Sequence, residues 1–470
     1  MWVYSFIFNG KELMKKILYL FLICLHFSCA DAQSFDGSWK GEVSVSGQKL
    51  LLVFNLQKDS ANNWVGTFES PMQTSLKFPV DMIKTNKDSI SMEVKAIGLF
   101  YRGYLDRDKD VMKGAMKQGS FESAMILVRS ESEQSGLSRK QDVFPPYDYI
   151  EQEISFQNVK GNASLVGTLT YPKGGGSFPA VVLVNGSGQQ NRDSEVFGHR
   201  PFKILADHLT KKGFAVLRYD DRGIGKSKGE VNLATTIDFA SDANAAVDFL
   251  SKQQMVKTGK IGVIGHSEGA LIAEMVAAEN SKVNYIALLS GPVLKGDSLL
   301  ILQSYALGKV AGLSEPALEL NKANNRKLYD ILLRDEPPKI LSELLEKELI
   351  RQNNGNVLTS DMRIKLSPML MPWFKTFLRI DPSYYLKQVN APIFASFGGK
   401  DIQVPANENI YALQRLRLNT TDVTIKDYPN LNHLFQNART GKIEEYFENS
   451  ESFNEQLMDD LTKWLKLKTK

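Results

Sequence analysis

Apolar and polar positions follow three different rhythms along the chain. Between residues 34 and about 130, short runs alternate at 37–43, 50–54, 64–68, 89–94, 101–105 and 124–128, separated by polar turns such as Asp106-Arg107-Asp108-Lys109-Asp110. Short strands with turns every 8–12 residues predict an antiparallel barrel or sandwich. Residues 131–148 are polar and end in Pro145-Pro146, the composition of a linker. From about Tyr149 the rhythm changes again. Val181-Val182-Leu183-Val184 reads as a buried parallel strand, and Phe202, Leu205, Ala206 and Leu209 have helical spacing, ended by Gly213. Strands at 214–219, 260–264 and 283–289 then alternate with helices at 237–250 and 271–278. That alternation predicts a parallel sheet covered by helices on both faces.

After Gly291-Pro292 the alternation stops. Residues 293–388 read as helical, and strand character returns at 392–397 and 421–425 before a closing amphipathic helix at 453–467. The helical block is therefore an insertion between two strands of one sheet. The expected organisation is residues 1–32 as a leader, 33–130 as a small β domain, 131–148 as a linker and 149–470 as an α/β domain whose lid is 293–388. No internal repeat is seen.

The leader expectation comes from charge and size. Lys15 and Lys16 precede an apolar run at 17–27, followed by Ala30-Asp31-Ala32 and Gln33. A basic start, a short apolar core and small residues at a cut site describe a secretory signal. The run is too short to cross a bilayer of about 30 Å. Met14 is the expected start and Gln33 the expected mature terminus, which places the protein in the periplasm or outside the cell. Both cysteines, Cys24 and Cys29, fall inside the leader. Cleavage then leaves no thiol for a disulfide, a nucleophile or a cysteine zinc site. Lipidation at Cys29 is the minor alternative. The 470 residues carry a formal charge of only +4, with no basic block to suggest nucleic acid.

Candidate chemistry lies wholly in the α/β part. Gly265-His266-Ser267-Glu268-Gly269 has the form G-x-S-x-G between a predicted strand and a predicted helix. This is the context of a nucleophile elbow, where glycines relieve the tight turn and expose the serine oxygen. Serine needs a base. Of His199, His208, His266 and His433, the last follows the final strand and would reach the sheet edge that carries Ser267. A histidine base needs an orienting acid. Asp401, after the penultimate strand, stands where open α/β sheets place their sites. The chain order Ser267, Asp401, His433 is that of α/β hydrolases. Asn185-Gly186-Ser187-Gly188 follows the first parallel strand, so the backbone amides of Ser187 and Glu268 are the expected oxyanion donors. The turn 219–227 reads as support beside the site, without a chemical role.

Several segments together resemble a known family: NGSG at 185–188, YDDRGIGKS at 219–227, GHSEG at 265–269, LLSGP at 288–292, GGKDIQVP at 398–405 and LNHLFQ at 431–436. They resemble α/β hydrolases of the serine aminopeptidase-like (S33) and secreted carboxylesterase group, over residues 150–470. Members usually carry His-Gly where this chain has Asn185-Gly186. The resemblance implies an α/β-hydrolase fold with a helical lid, and a serine esterase acting on a small-molecule ester without metal or organic cofactor. A peptidase on the same triad is the alternative. A non-enzymatic scaffold, whose β domain binds a surface glycan or lipid, is a third reading that an intact triad opposes.

Overall fold

The computed structural model describes residues 34–45, 48–71, 77–119, 121–130, 139–359, 366–416 and 422–470. The expected leader, with Cys24 and Cys29, lies outside them, as do the first half of the linker and residues 360–365 of the lid. The chain folds as two compact units. Among the described residues, one holds most of those from Ser34 to Ser130, and the other holds those from Arg139 to Lys470 together with two short stretches around residues 44–52 and 69–77.

The first unit is one curled antiparallel sheet, so the alternative of a two-sheet sandwich does not hold. Its described strands are β1 (Gly37–Val45), β2 (Gln48–Lys58), β3 (Trp64–Glu69), β4 (Lys77–Pro79), β5 (Met82–Asn86), β6 (Ser89–Val94), β7 (Leu99–Asp106), β8 (Val111–Gln118) and β9 (Phe121–Ser130). Their order is β4-β3-β2-β1-β9-β8-β7-β6-β5. Phe54 on β2 and Tyr101 on β7 are far apart in that order, yet their ring centroids lie 6.0 Å apart. The sheet is therefore curled, so that strands distant in its order face each other across one interior. Alternate residues supply the interior, as in β6, where Ile90, Met92 and Val94 are buried. Strands β4, β5 and β8 were not expected. In β8 the inward Met112 and Met116 are interleaved with Lys113, Gly114 and Lys117, which weakens the apolar signal.

The second unit is built on strands β10 (Tyr149–Asn158), β11 (Ala163–Pro172), β12 (Phe178–Val184), β13 (Ala215–Tyr219), β14 (Val256–His266), β15 (Val283–Leu289), β16 (Ile393–Gly398) and β17 (Val423–Tyr428). They run in the order β10-β11-β13-β12-β14-β15-β16-β17. The pairings from β13 through β17 are parallel, whereas β10 and β11 are antiparallel to their neighbours. That antiparallel pair corrects the expectation of a parallel sheet. β10 lies at the edge with Glu151, Gln152, Glu153 and Gln157 exposed, so it lacks the apolar run of a buried strand.

Side-chain alternation in the central strands sorts two cores. Val181, Leu183 and Ile264 pack under the helices Pro201–Lys211 and Glu455–Lys468, with Phe202, Leu205, Leu457 and Leu461. Val182, Val184 and Val263 pack under Thr236–Leu250 and Glu268–Glu279, with Ala243, Val247, Leu271 and Ala273. Strand order reverses around β12, which lies between β13 and β14. Crevices at such reversals, at the carboxyl ends of the strands, are where open α/β sheets bind ligands.

Between β15 and β16 the chain forms the helices Gly296–Val310, Glu315–Leu332, Pro338–Gln352, Pro372–Arg379 and Pro382–Leu386 among the described residues. This inserted segment has its own small core, including Leu328, Leu332, Leu341, Leu345 and Leu378. The described part of the linker is docked by hydrogen bonds, which need no apolar content. The Arg139 guanidinium donates to the carbonyls of Phe197, Phe447 and Asn449 at 2.8–3.0 Å, and Gln141 bonds Ser452 and Phe453.

Candidate active site

Strand β14 ends at His266, and the helix Glu268–Glu279 begins two residues later. The reversal is made at Ser267, with φ 57° and ψ −123°, a conformation disfavoured for a residue with a side chain. It persists because the neighbours over-determine it. The Ser267 amide donates to the Leu289 carbonyl at 2.9 Å, and the Ser267 carbonyl accepts from Ala270 at 2.9 Å. A Cβ on Gly265 would overlap the Gly269 carbonyl, and one on Gly269 would overlap the carbonyls of Val184 and Asn185. Only glycine fits at either position.

His433 and Asp401 come together from segments 32 residues apart. His433 Nδ1 lies 2.7 Å from Asp401 Oδ2. The other carboxylate oxygen, Oδ1, accepts the backbone N–H groups of Gln403 and Val404, both at 2.8 Å. Three donors therefore surround a carboxylate whose side chain is wholly buried. This arrangement satisfies both oxygens and fixes which one faces the ring.

The loop bearing His433 is held by Asn432, which spacing did not single out. Its Oδ1 accepts the amides of Leu434 and Gln436 at 3.0 and 2.9 Å, and its Nδ2 donates to Gln436 Oε1 at 3.0 Å. Phe435 adopts φ 56° within this closed turn. An asparagine two residues before a turn amide is the one local signal that could have marked it.

His266 takes a supporting place. Its Nε2–H donates to the His433 carbonyl at 2.8 Å, and the two rings lie 4.8 Å apart. Burial, then the neighbouring His433, depress its pKa to about 3, so it stays a neutral donor. His199 is also structural. It is buried between Ser452 Oγ (2.7 Å) and the Tyr446 carbonyl (2.6 Å), and burial lowers its pKa to about 4. His208, on its helix, meets Thr462 Oγ1 at 3.1 Å, in keeping with a structural role.

The loop after β12 brings Gly186 against Ser267, where an added Cβ would sit 3.1 Å from the serine Cβ. Asn185, in place of the usual histidine, donates through Nδ2 to Asp221 Oδ1 (3.1 Å) and to the Asn191 carbonyl (3.2 Å). Asp221 Oδ2 accepts the Gln190 amide at 2.9 Å. Burial pushes the Asp221 carboxyl up to about 8 against these two donors. The neighbouring Asp220 grips Arg192, and Arg222 pairs with Asp242 at 2.7 Å. The turn 219–227 thus buttresses the loop that carries Ser187. Glu268 is also buried, and burial raises its pKa despite donors from Thr236, Ser187 and Trp373.

Ser187, Ser267 and His433 line one cavity of about 360 Å³. Its other walls include Leu299 and Leu300 from the inserted helices, the stacked pair Trp373 and Phe377, and Tyr446. Sequence periodicity pointed to none of these wall residues. No Asp, Glu, Lys or Arg lines it among the described residues. Elsewhere among those residues, no group of His, Cys, Asp and Glu is arranged to hold a metal, and no helix is long and apolar enough to cross a membrane.

The chain is 27% identical over 352 residues to Esterase EstD of Thermotoga maritima, covering 73% of this chain and 76% of that protein. Its fold can be superposed on an esterase of Pyrococcus furiosus, Pf2001, with a TM-score of 0.42 and 19% identity, over 73% of this chain and all of that one. The family model for serine aminopeptidase, S33, matches residues 199–439, which include the elbow serine, Asp401 and His433. This chain therefore belongs to the S33 serine aminopeptidase-like family of α/β hydrolases.

Proposed function

We propose that this protein hydrolyses carboxylic esters of small molecules through an acyl-enzyme on Ser267. In this reading Ser267 Oγ attacks the ester carbonyl while His433 Nε2 takes its proton. Asp401 holds His433 with Nδ1–H inward and stabilises the imidazolium. The backbone N–H groups of Ser187 and Glu268 receive the oxyanion. Collapse of the tetrahedral intermediate breaks the bond to the alkoxy oxygen, which His433 protonates as it leaves. Water, deprotonated by His433, then attacks the acyl carbon, and release of the carboxylic acid regenerates Ser267.

The observation that carries this reading is the 2.7 Å contact of His433 Nδ1 with a fully buried Asp401, beside a strained serine on the same cavity. Similarity to Esterase EstD supports the ester over the amide. So does the wall chemistry, because an aminopeptidase needs a carboxylate to receive the ammonium of its substrate, and none lines this cavity among the described residues. The test compares short- and long-chain chromogenic esters with aminoacyl anilides, using Ser267→Ala as control. Ester turnover that disappears in Ser267→Ala, with inert anilides, is the expected result. Anilide turnover would favour the peptidase, and equal rates in both proteins would refute the triad. The pattern from Lys15 to Ala32 further supports export with cleavage before Gln33. Mass spectrometry of the secreted or periplasmic form checks the mature terminus, and a lipid on Cys29 would overturn it.

A further inference from the structure

The residue after the elbow serine contributes more than a backbone N–H. The Glu268 side chain is buried where three separate stretches of chain converge. Thr236, the first residue of its helix, donates Oγ1–H to Glu268 Oε1 at 2.6 Å. Trp373, on the inserted helix Pro372–Arg379, donates Nε1–H to the same oxygen at 2.8 Å. The hydroxyl of Ser187, on the loop after β12, faces the same carboxyl and favours its anion. One carboxyl group thus ties the core helix, the inserted segment and the oxyanion loop together.

We propose that Glu268 is a positioning residue that latches the inserted helices to the oxyanion site. The Trp373 wall and the amides of Ser187 and Glu268 are then set as one unit. The proposal rests on the hydrolase reading above. Ser187 presents its hydroxyl to this carboxyl, and its carbonyl accepts from Gln190 Nε2 at 3.0 Å. The second amide belongs to Glu268 itself, so this side chain bears on both donors. Trp373 stacks on Phe377 with centroids 5.4 Å apart and planes 22° apart, and both line the cavity. A substrate that seats against this wall therefore meets a surface mechanically joined to the groups that stabilise its oxyanion. Hydrogen bonds in a buried, low-dielectric site are stiff enough for this task. Catalysis by preformed donors is sensitive to displacements of about 1 Å.

The test uses the mature full-length protein and separates ground-state from transition-state effects. Steady-state kinetics on a butyrate ester are measured beside the inhibition constant of a phenylboronic acid, which forms a tetrahedral adduct on serine. Glu268→Ala is expected to lower kcat about 10- to 100-fold and to weaken the boronate in parallel, with KM changed less than about 3-fold. Glu268→Gln keeps an acceptor for Thr236 and Trp373 and should recover most of the loss. Trp373→Phe keeps the aromatic wall but removes the donor. It should lower kcat several-fold and add little in the double variant with Glu268→Ala, because both break one link. If Glu268→Ala fails to fold, Trp373→Phe, a change at a half-buried position, carries the same comparison of kcat and boronate affinity. A Ser267-dependent enzyme in which these variants leave kcat and boronate affinity within about 2-fold, or raise KM alone, refutes the latch while leaving the hydrolase reading intact. Turnover that survives Ser267→Ala refutes the hydrolase reading, and the latch with it.

Discussion

Replacing Asp401 by asparagine tests the triad at the point where the structure makes the sharpest demand. The change is isosteric, but the two carboxylate oxygens are not equivalent. Oδ1 accepts two backbone N–H groups, from Gln403 and Val404, while Oδ2 alone faces His433. The asparagine oxygen must stay with the two amides, because the reverse orientation would set its NH₂ against both donors. Abandoning those two buried bonds would cost about 1–3 kcal/mol each. The NH₂ is thereby forced toward His433 Nδ1, which must become an acceptor. The imidazole proton then sits on Nε2, facing Ser267, and the ring cannot accept the serine proton. A triad trapped in the wrong tautomer loses about 10³- to 10⁴-fold in kcat, equal to about 4–5.5 kcal/mol of barrier. The fold should be untouched, since both amide bonds to position 401 survive. The assay is kcat on a short-chain ester together with thermal unfolding of each protein. Asp401→Asn with an unchanged melting temperature and kcat within about tenfold of wild type would refute the assignment of Asp401 as the orienting acid.

Other substitutions follow from the same geometry. Asn432→Ala strands the buried amides of Leu434 and Gln436, so it should destabilise the catalytic unit by about 2–5 kcal/mol and lower kcat by loosening His433; denaturant unfolding and ester kinetics check both. Gly265→Ala drives a methyl into the Gly269 carbonyl and should cost roughly 4 kcal/mol or more, read as loss of soluble, active protein. Glu274 is fully buried on the elbow helix, and neither carboxyl oxygen has a partner among the described residues. Burial raises its pKa well above 4.5, so its share of stability is full below about 4.5 and is lost as pH rises toward the folded-state value. Glu274→Met should therefore stabilise the protein by about 1–3 kcal/mol at neutral pH, and less at pH 4. Thermal unfolding across that range measures it, and a gain independent of pH would count against the argument.

The candidate site was legible wherever a local motif carries a steric reason. Gly265 and Gly269 flank Ser267 because no side chain fits beside the neighbouring carbonyls, and such a constraint leaves its mark within five residues. The order of Ser267, Asp401 and His433 was equally readable, since each follows a strand of one sheet and parallel strands deliver their ends to one edge. The helical insertion at 293–388 was visible as a break in strand–helix alternation. Strand β10 was not visible, because an exposed, polar edge strand has no apolar run to betray it, and β11, although mostly buried, pairs antiparallel with it rather than entering the strand–helix alternation.

Local pattern thus determined the α/β architecture, an antiparallel β unit in outline, the elbow and the three candidate site residues. Those features arise from sterics and burial over a few neighbouring positions, which the linear chain records directly. Tertiary structure alone decided which groups meet. Asp401 finds His433 and two backbone amides, His266 grips the His433 carbonyl, and Glu268 gathers Thr236, Trp373 and Ser187. Apart from the two local amides on Asp401, these partners lie tens to hundreds of residues apart, and hydrogen bonding is directional over about 3 Å. No periodicity along the chain encodes such a meeting, because packing of the finished sheet and helices sets the final few ångströms.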